Sequence, residues 1–276
     1  MHPFIAALPP EVIDGLRSGR LLPYLGPGVL DASDGGAPAD TATLAARLTA
    51  RTSVPGKIKG RLSAAAQFIE NFKHRRTLVA GMDAAFAAAP TPGELHRFVA
   101  ALHAPLVVHA WYDDTLRQAL ADAGDDWSEI QGLSQSEHAG RWTGAYDARG
   151  TALAQAHERV GQAGHTLLYR PWGGHAPASN YLVSDSDFVE VLTEIDIQTP
   201  IPAAVQQLRS SRGFVFLGCR FDDQLARAFA RQIAKRSAGP HWALLPAPLT
   251  RMEQRFVAEL GLRRIEAPLP ACAAAA

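Results

Sequence analysis

Short apolar runs alternate with helix-patterned stretches along almost the whole chain, and that alternation confines it to one fold class. Strands are expected at Leu21–Leu25, Leu106–Ala110, Thr166–Tyr169, Tyr181–Val183, Phe214–Leu217, Trp242–Leu245 and Arg263–Glu266. Helices are expected at Pro10–Arg17, Gly93–Leu102, Asp114–Ala123, Ser186–Leu192, Pro202–Leu208, Asp222–Lys235 and Thr250–Leu260. Apolar strands with helix signals on both sides are buried on both faces. The pattern therefore predicts an α/β fold, a Rossmann-like, doubly wound, mainly parallel sheet with helices on each side. The clearest helical face is that of Leu225, Phe229, Gln232 and Ile233. One such domain is expected over residues 1–266, with 267–276 as a flexible tail.

No strand is expected between Leu25 and Leu106. Thr41–Ala50, Arg61–Lys73 and Arg76–Ala88 read as helices, broken by Val54-Pro-Gly56 and Pro90-Thr-Pro-Gly93. This helical insertion after the first strand, residues 39–92, is expected to lie as a lid over the carboxyl edge of the sheet, where open α/β folds bind ligands. Asp125 to Arg149 is polar and weakly periodic, and reads as a long loop or a weak hairpin.

The first expected strand runs straight into a tight turn, Leu25-Gly-Pro-Gly-Val-Leu30. Glycine lets the backbone take positive φ and approach a ligand closely, and a strand followed by a glycine turn is how many nucleotide sites begin. The dinucleotide fingerprint would place a third glycine at position 31, where Asp31 stands.

Composition removes several classes. With 27 basic and 27 acidic side chains, no overall attraction to nucleic acid or an anionic membrane is expected. Two cysteines, Cys219 and Cys272, supply neither a disulfide framework nor a four-cysteine zinc site. The start of the chain lacks the pattern of a signal peptide, and no apolar run reaches the ~20 residues that span a bilayer, so a cytoplasmic location is expected. The ten histidines lack metal-ligand spacing, and no metal is expected. No Gly-x-Ser-x-Gly elbow and no Gly-Lys-Ser/Thr phosphate loop occurs. Arg51, Lys57, Lys59, Arg61, Lys73, Arg75 and Arg76 fall in one stretch with Glu70 as its only acid. They form either a solvated helix face or a docking patch for a phosphate group or an acidic protein partner.

Four segments in order resemble the sirtuin-like superfamily, in particular its zinc-free bacterial branch of NAD-hydrolase-type domains. They are Leu25-Gly-Pro-Gly-Val-Leu30; Val107-Val-His-Ala-Trp-Tyr-Asp-Asp-Thr-Leu116; Leu168-Tyr-Arg-Pro-Trp-Gly173 with Tyr181-Leu-Val-Ser-Asp-Ser-Asp-Phe188; and Phe214-Val-Phe-Leu-Gly-Cys-Arg-Phe-Asp-Asp223. The resemblance spans residues 21 to 266. It implies NAD or a related nucleotide as ligand, held by Gly26, Pro27, Gly28, Val29, Trp111, Asp113, Trp172, Gly218 and Cys219. The absence of four cysteine ligands argues against the zinc-bearing deacylases.

The same resemblance implies an asparagine at position 111 and a histidine at position 172, and both are tryptophan here. Indole has one N–H donor and no acceptor nitrogen, and cannot take a proton from a ribose hydroxyl. Losing a positioned acid or base typically costs ~10²- to 10⁴-fold in rate. Pro27 replaces a small residue and removes an N–H, and Leu30 replaces a serine. The two indoles either fill the nicotinamide pocket or stack on a planar or cationic ligand. Three functions stay open: a catalytically degenerate binder or regulatory scaffold, an NAD glycohydrolase with rearranged groups (candidates His109, Asp113 and His175), and an interaction module docking through the basic insertion. Asp113 also suits the cap of the following helix.

Overall fold

The computed structural model describes residues 8–32, 36–88, 90–124, 126–197 and 201–266. Helix α1 (Pro10–Arg17) leads into β1 (Leu21–Leu25) and a 3-10 turn over Pro27–Ala32. Four helices follow: α2 (Thr41–Arg51), α3 (Leu62–Lys73), α4 (Arg75–Phe86) and α5 (Glu94–Ala100). Then come β2 (Leu106–His109), α6 (Thr115–Asp122), β3 (Asp126–Gly132), β4 (Thr143–Asp147), β5 (Ala152–Leu153) and β6 (His165–Arg170). A short ribbon, β7 (Gly173–Gly174) and β8 (Asn180–Tyr181), precedes α7 (Asp185–Ile197), α8 (Ala203–Arg209), β9 (Gly213–Leu217), α9 (Gln224–Ala234), β10 (Trp242–Leu244), α10 (Arg251–Glu259) and β11 (Arg263–Ile265).

The main sheet runs β11-β10-β9-β1-β2-β6-β3-β4-β5, parallel from β11 to β3 and antiparallel over its last two strands. The four strands whose ends carry the sequence motifs, β9, β1, β2 and β6, are consecutive neighbours. Strand β1 sits at the switch point: the chain passes from β2 out to β3, β4 and β5, comes back to insert β6 between β2 and β3, and then crosses to build β9, β10 and β11 on the other side of β1. Such a reversal opens a crevice at the carboxyl ends of the strands.

Alternation along the strands divides the core into two layers. Leu22, Tyr24, Leu106, Val108, Phe214 and Phe216 pack into one; Leu21, Leu25, Val107, Val215 and Leu217 pack into the other. The first layer is covered by α2, α3, α4, α7, α8 and α9 through Leu44, Ile69, Met82, Phe188, Val205 and Phe229. The second is covered by α1, α5 and α6 through Leu16, Val99 and Leu116. The helices between β1 and β2 share one continuous core with the sheet.

Arg75 fixes this insertion in place. Its Nη1 lies 2.8 Å from Asp187 Oδ2 and 3.3 Å from Glu70 Oε2, its Nε lies 3.0 Å from Glu137 Oε2, and Nη2 donates to the Tyr181 carbonyl. Its side chain is 12% exposed. This corrects its assignment to an outward basic patch, since four acceptors within the fold already hold it. Arg51, Lys57, Lys59, Arg61, Lys73 and Arg76 remain exposed.

Two further expectations change. Residues 126–132, in the stretch read as a long loop or a weak hairpin, do pair antiparallel with β4 as a hairpin, and they also pair with β6 on the other side as an interior strand. Its polar residues concealed it: Glu129 and Gln131 are fully buried, where Arg117, Arg170 and Asn180 satisfy them. The strand expected at Tyr181–Val183 pairs only in the β7–β8 ribbon, outside the main sheet. Residues 267–276, including Cys272, and Asp125 lie outside the described residues.

Candidate functional site

A cleft of about 580 Å³ opens at the carboxyl ends of β1, β2 and β9. The glycine turn of Gly26, Pro27 and Gly28 forms one wall and the end of β9, Gly218 and Cys219, forms the next. Close backbone approach makes glycine necessary at this junction. The Gly28 N–H donates to Gly218 O at 2.9 Å, and a Cβ on Gly28 would meet that same oxygen at 2.9 Å. Gly218 itself has φ +64°, and a Cβ there would run into the backbone of Val29.

The junction uses up the turn's donors. Gly26 N–H donates to Leu217 O at 2.9 Å, Pro27 has none, and Val29 N–H donates to Gly26 O at 3.3 Å. Helix starts border the cleft on two sides, and each carries its own carboxylate. Asp40 accepts from Thr43 N–H at 2.7 Å at the start of α2, and Asp223 accepts from Leu225 and Ala226 N–H at 2.7 and 3.1 Å at the start of α9. Asp222 stands beside it, exposed and without a hydrogen-bond or ion-pair partner among the described residues. The one basic side chain on the wall among the described residues, Arg220, is paired with buried Glu253 at 2.8 and 3.3 Å.

The remaining surface is apolar and aromatic, with Tyr24, Trp172, Phe221 and Pro246. Burial raises the Cys219 thiol and the Tyr24 phenol well above their ordinary values, so neither ionises near neutral pH.

Trp111 and Trp172 meet behind this wall, with ring centroids 6.3 Å apart in an edge-on arrangement. Trp111 is fully buried and donates its Nε1–H to Pro38 O at 2.7 Å; Trp172 is 6% exposed and packs edge-on against Phe188 and Phe229 at 5.9 and 5.8 Å. Phe86 and Tyr112 complete the cluster. Arg170, fully buried, locks the strand ends that carry the two indoles. Its Nη2 donates to the carbonyls of Tyr112 and Asp113 at 2.8 and 2.7 Å, and its Nη1 to Asp114 Oδ1 at 3.0 Å.

Of the residues singled out from sequence, Gly26, Pro27, Gly28, Trp172, Gly218 and Cys219 line the cleft. Val29, Trp111 and Asp113 do not, each being fully or almost fully buried. Asp113, one residue before the helix cap Asp114, accepts from Thr115 N–H at 2.9 Å, and its Oδ2 lies 3.2 Å from His109 Nε2. His96 on α5 completes this buried group, whose three side chains are at most 1% exposed. His109 holds Asp113 far below the usual carboxylate range against the opposing effect of burial.

The third candidate base, His175, lies outside the cleft as well. Its Nδ1 donates to Asp114 Oδ2 at 2.9 Å, which raises its pKa. Asp40 and Thr41 escaped the sequence reading because their place on the wall comes from the path of the insertion. Asp222 and Asp223 were visible as a helix start, with nothing local to show that it opens on a cleft.

Among the described residues no helix is long and apolar enough to cross a membrane, and no group of three His, Cys, Asp or Glu residues is placed to hold a metal ion. No curated protein matches the chain. Residues 105–265, more than half of the chain, match the family model of the SIR2-like domain. The matched span begins just before β2 and takes in the strand ends that carry both tryptophans, the Gly218 junction and every strand from β2 to β11. The chain therefore belongs to the SIR2-like family, within the sirtuin-like superfamily.

Proposed function

We propose that this SIR2-like domain is a ligand-binding or regulatory component that does not cleave NAD. The observation that carries this reading is the edge-on packing of Trp111 and Trp172. They occupy the positions where the sirtuin resemblance implies an asparagine and a histidine, and indole supplies no proton acceptor. Their burial in one aromatic cluster supports a filled nicotinamide pocket over a rebuilt catalytic one. The residues present do not fit the dinucleotide implied by the family. The glycine turn keeps no free amide for a diphosphate, and two packed indoles stand where the resemblance implies the residues that handle the nicotinamide ribose. His109, Asp113 and His175 stand off the cleft wall, which weighs against a rearranged hydrolase.

The test is nicotinamide release from NAD and NADP, followed chromatographically at substrate concentrations in the millimolar range. Release at the buffer rate is expected. Turnover that disappears in His175→Ala or His109→Ala would establish the hydrolase instead, and turnover that survives both would place the chemistry elsewhere.

A further inference from the structure

Three devices by which an α/β fold holds phosphate are the free amides of a glycine turn, a helix N-terminus and a basic side chain. All three are present around this cleft, and each is already committed. The amides of Gly26, Gly28 and Val29 donate to Leu217 O, Gly218 O and Gly26 O. The starts of α2 and α9 hold the carboxylates of Asp40 and Asp223 where an anion would sit. Arg220 is bound to Glu253 through two contacts. Asp222 adds an unpartnered negative charge at the mouth. A phosphate entering the cleft meets three carboxylates and one neutralised guanidinium.

The rest of the wall suits a flat ring. Tyr24 and Trp172, 3% and 6% exposed, show the edges of their rings to the cleft with Phe221 buried behind them, and Ala39, Ala110 and Ala226 complete the apolar wall. A cavity of about 580 Å³ falls within the range of small-molecule sites.

Resting on the reading of this domain as a non-hydrolysing binder, we infer that the cleft takes a phosphate-free, nucleoside-sized heteroaromatic ligand, neutral or cationic. The aromatic walls hold the ring, and the aspartates at the rim accept from ribose hydroxyls or face a positive charge. The same aspartates that cap α2 and α9 repel phosphorylated relatives of the ligand. Selection here is by charge exclusion as much as by contact.

The experiment is calorimetric titration of the whole protein with adenosine, its cationic analogue 1-methyladenosine, AMP and ADP-ribose, with nicotinamide release from NAD followed in parallel. The two nucleosides are expected to bind, 1-methyladenosine the more tightly, with AMP and ADP-ribose at least ten-fold weaker than adenosine. Asp222→Asn, an exposed change, is expected to narrow the preference for 1-methyladenosine while leaving adenosine affinity unchanged. Asp223→Ser keeps a helix cap without its charge and is expected to bring AMP closer to adenosine. AMP or ADP-ribose binding as tightly as adenosine, with no turnover, would overturn this inference and leave the non-hydrolysing reading standing. Binding by neither nucleoside would overturn it equally. Nicotinamide release would overturn the underlying reading instead.

Discussion

Truncating Trp172 tests whether the indole is a structural plug or a ligand platform. The side chain is 6% exposed, with Trp111, Tyr112, Phe188 and Phe229 at ring-centroid distances of 5.8 to 6.3 Å. Replacing a buried tryptophan by alanine costs about 3–5 kcal/mol. The Trp172 indole N–H has no hydrogen-bond partner among the described residues, and losing it offsets about 1 kcal/mol of that cost. A net loss of about 3 kcal/mol is expected for Trp172→Ala. With an unfolding entropy of roughly 2.1 cal/mol/K per residue over 276 residues, this lowers Tm by about 5 °C. Trp172→Phe keeps a ring in the cluster and removes the unpartnered N–H, so it is expected to stay within about 1 kcal/mol of the parent. Trp111→Phe is the contrasting case. It breaks the 2.7 Å bond to Pro38 O and costs about 1–3 kcal/mol more than Trp172→Phe. Denaturant titration and calorimetry on the three variants supply the numbers. An unchanged Tm in Trp172→Ala, with nucleoside binding abolished, would show that the indole serves a ligand rather than the fold, and the plugged-pocket argument would fall.

Two other perturbations probe the supports of the site. Arg75→Ala leaves Asp187, whose side chain is wholly buried, without its ion-pair partner, and is expected to cost about 3–5 kcal/mol. Hydrogen exchange should quicken in α3 and α4 first, and uniform protection across the molecule would refute the role of Arg75 in fixing the insertion. His96 is fully buried with both ring nitrogens unpartnered among the described residues, and burial lowers its pKa to about 4 against the opposing pull of Asp113. Between about pH 6.5 and 4 the unfolded chain takes up a proton that the native histidine refuses. Stability is therefore full above the unfolded pKa and falls by about 3 kcal/mol as pH drops through this window. Unfolding measured against pH should lose that slope in His96→Leu, and a slope that persists would assign it to another group.

Which parts of this molecule could be read from the chain follows from how local their causes are. The α/β class and the doubly wound sheet were legible because apolar runs such as Leu21–Leu25 and Phe214–Leu217 cannot be buried on both faces in any other common way. The glycine turn was legible as a close-approach turn after a strand, and Gly218 through the resemblance; both line the cleft. The two tryptophans at positions 111 and 172, where the sirtuin resemblance implies an asparagine and a histidine, were visible without coordinates.

What tertiary structure alone decided is where charge and polarity go. Strand β3 read at most as one arm of a weak hairpin; its interior place was hidden because Glu129 and Gln131 are polar, and their burial is tolerable only beside Arg117, Arg170 and Asn180, which come from other elements. Arg75 read as one of seven surface cations, and only the packing of α4 against the strand ends turns it inward to three carboxylates. Asp40 stood out in no way along the chain, and Asp223 read only as part of a helix start. Placing both helix starts against one cleft makes them the charges that face any ligand, because a cap's meaning depends on what lies beyond it in space, and sequence spacing carries no record of that.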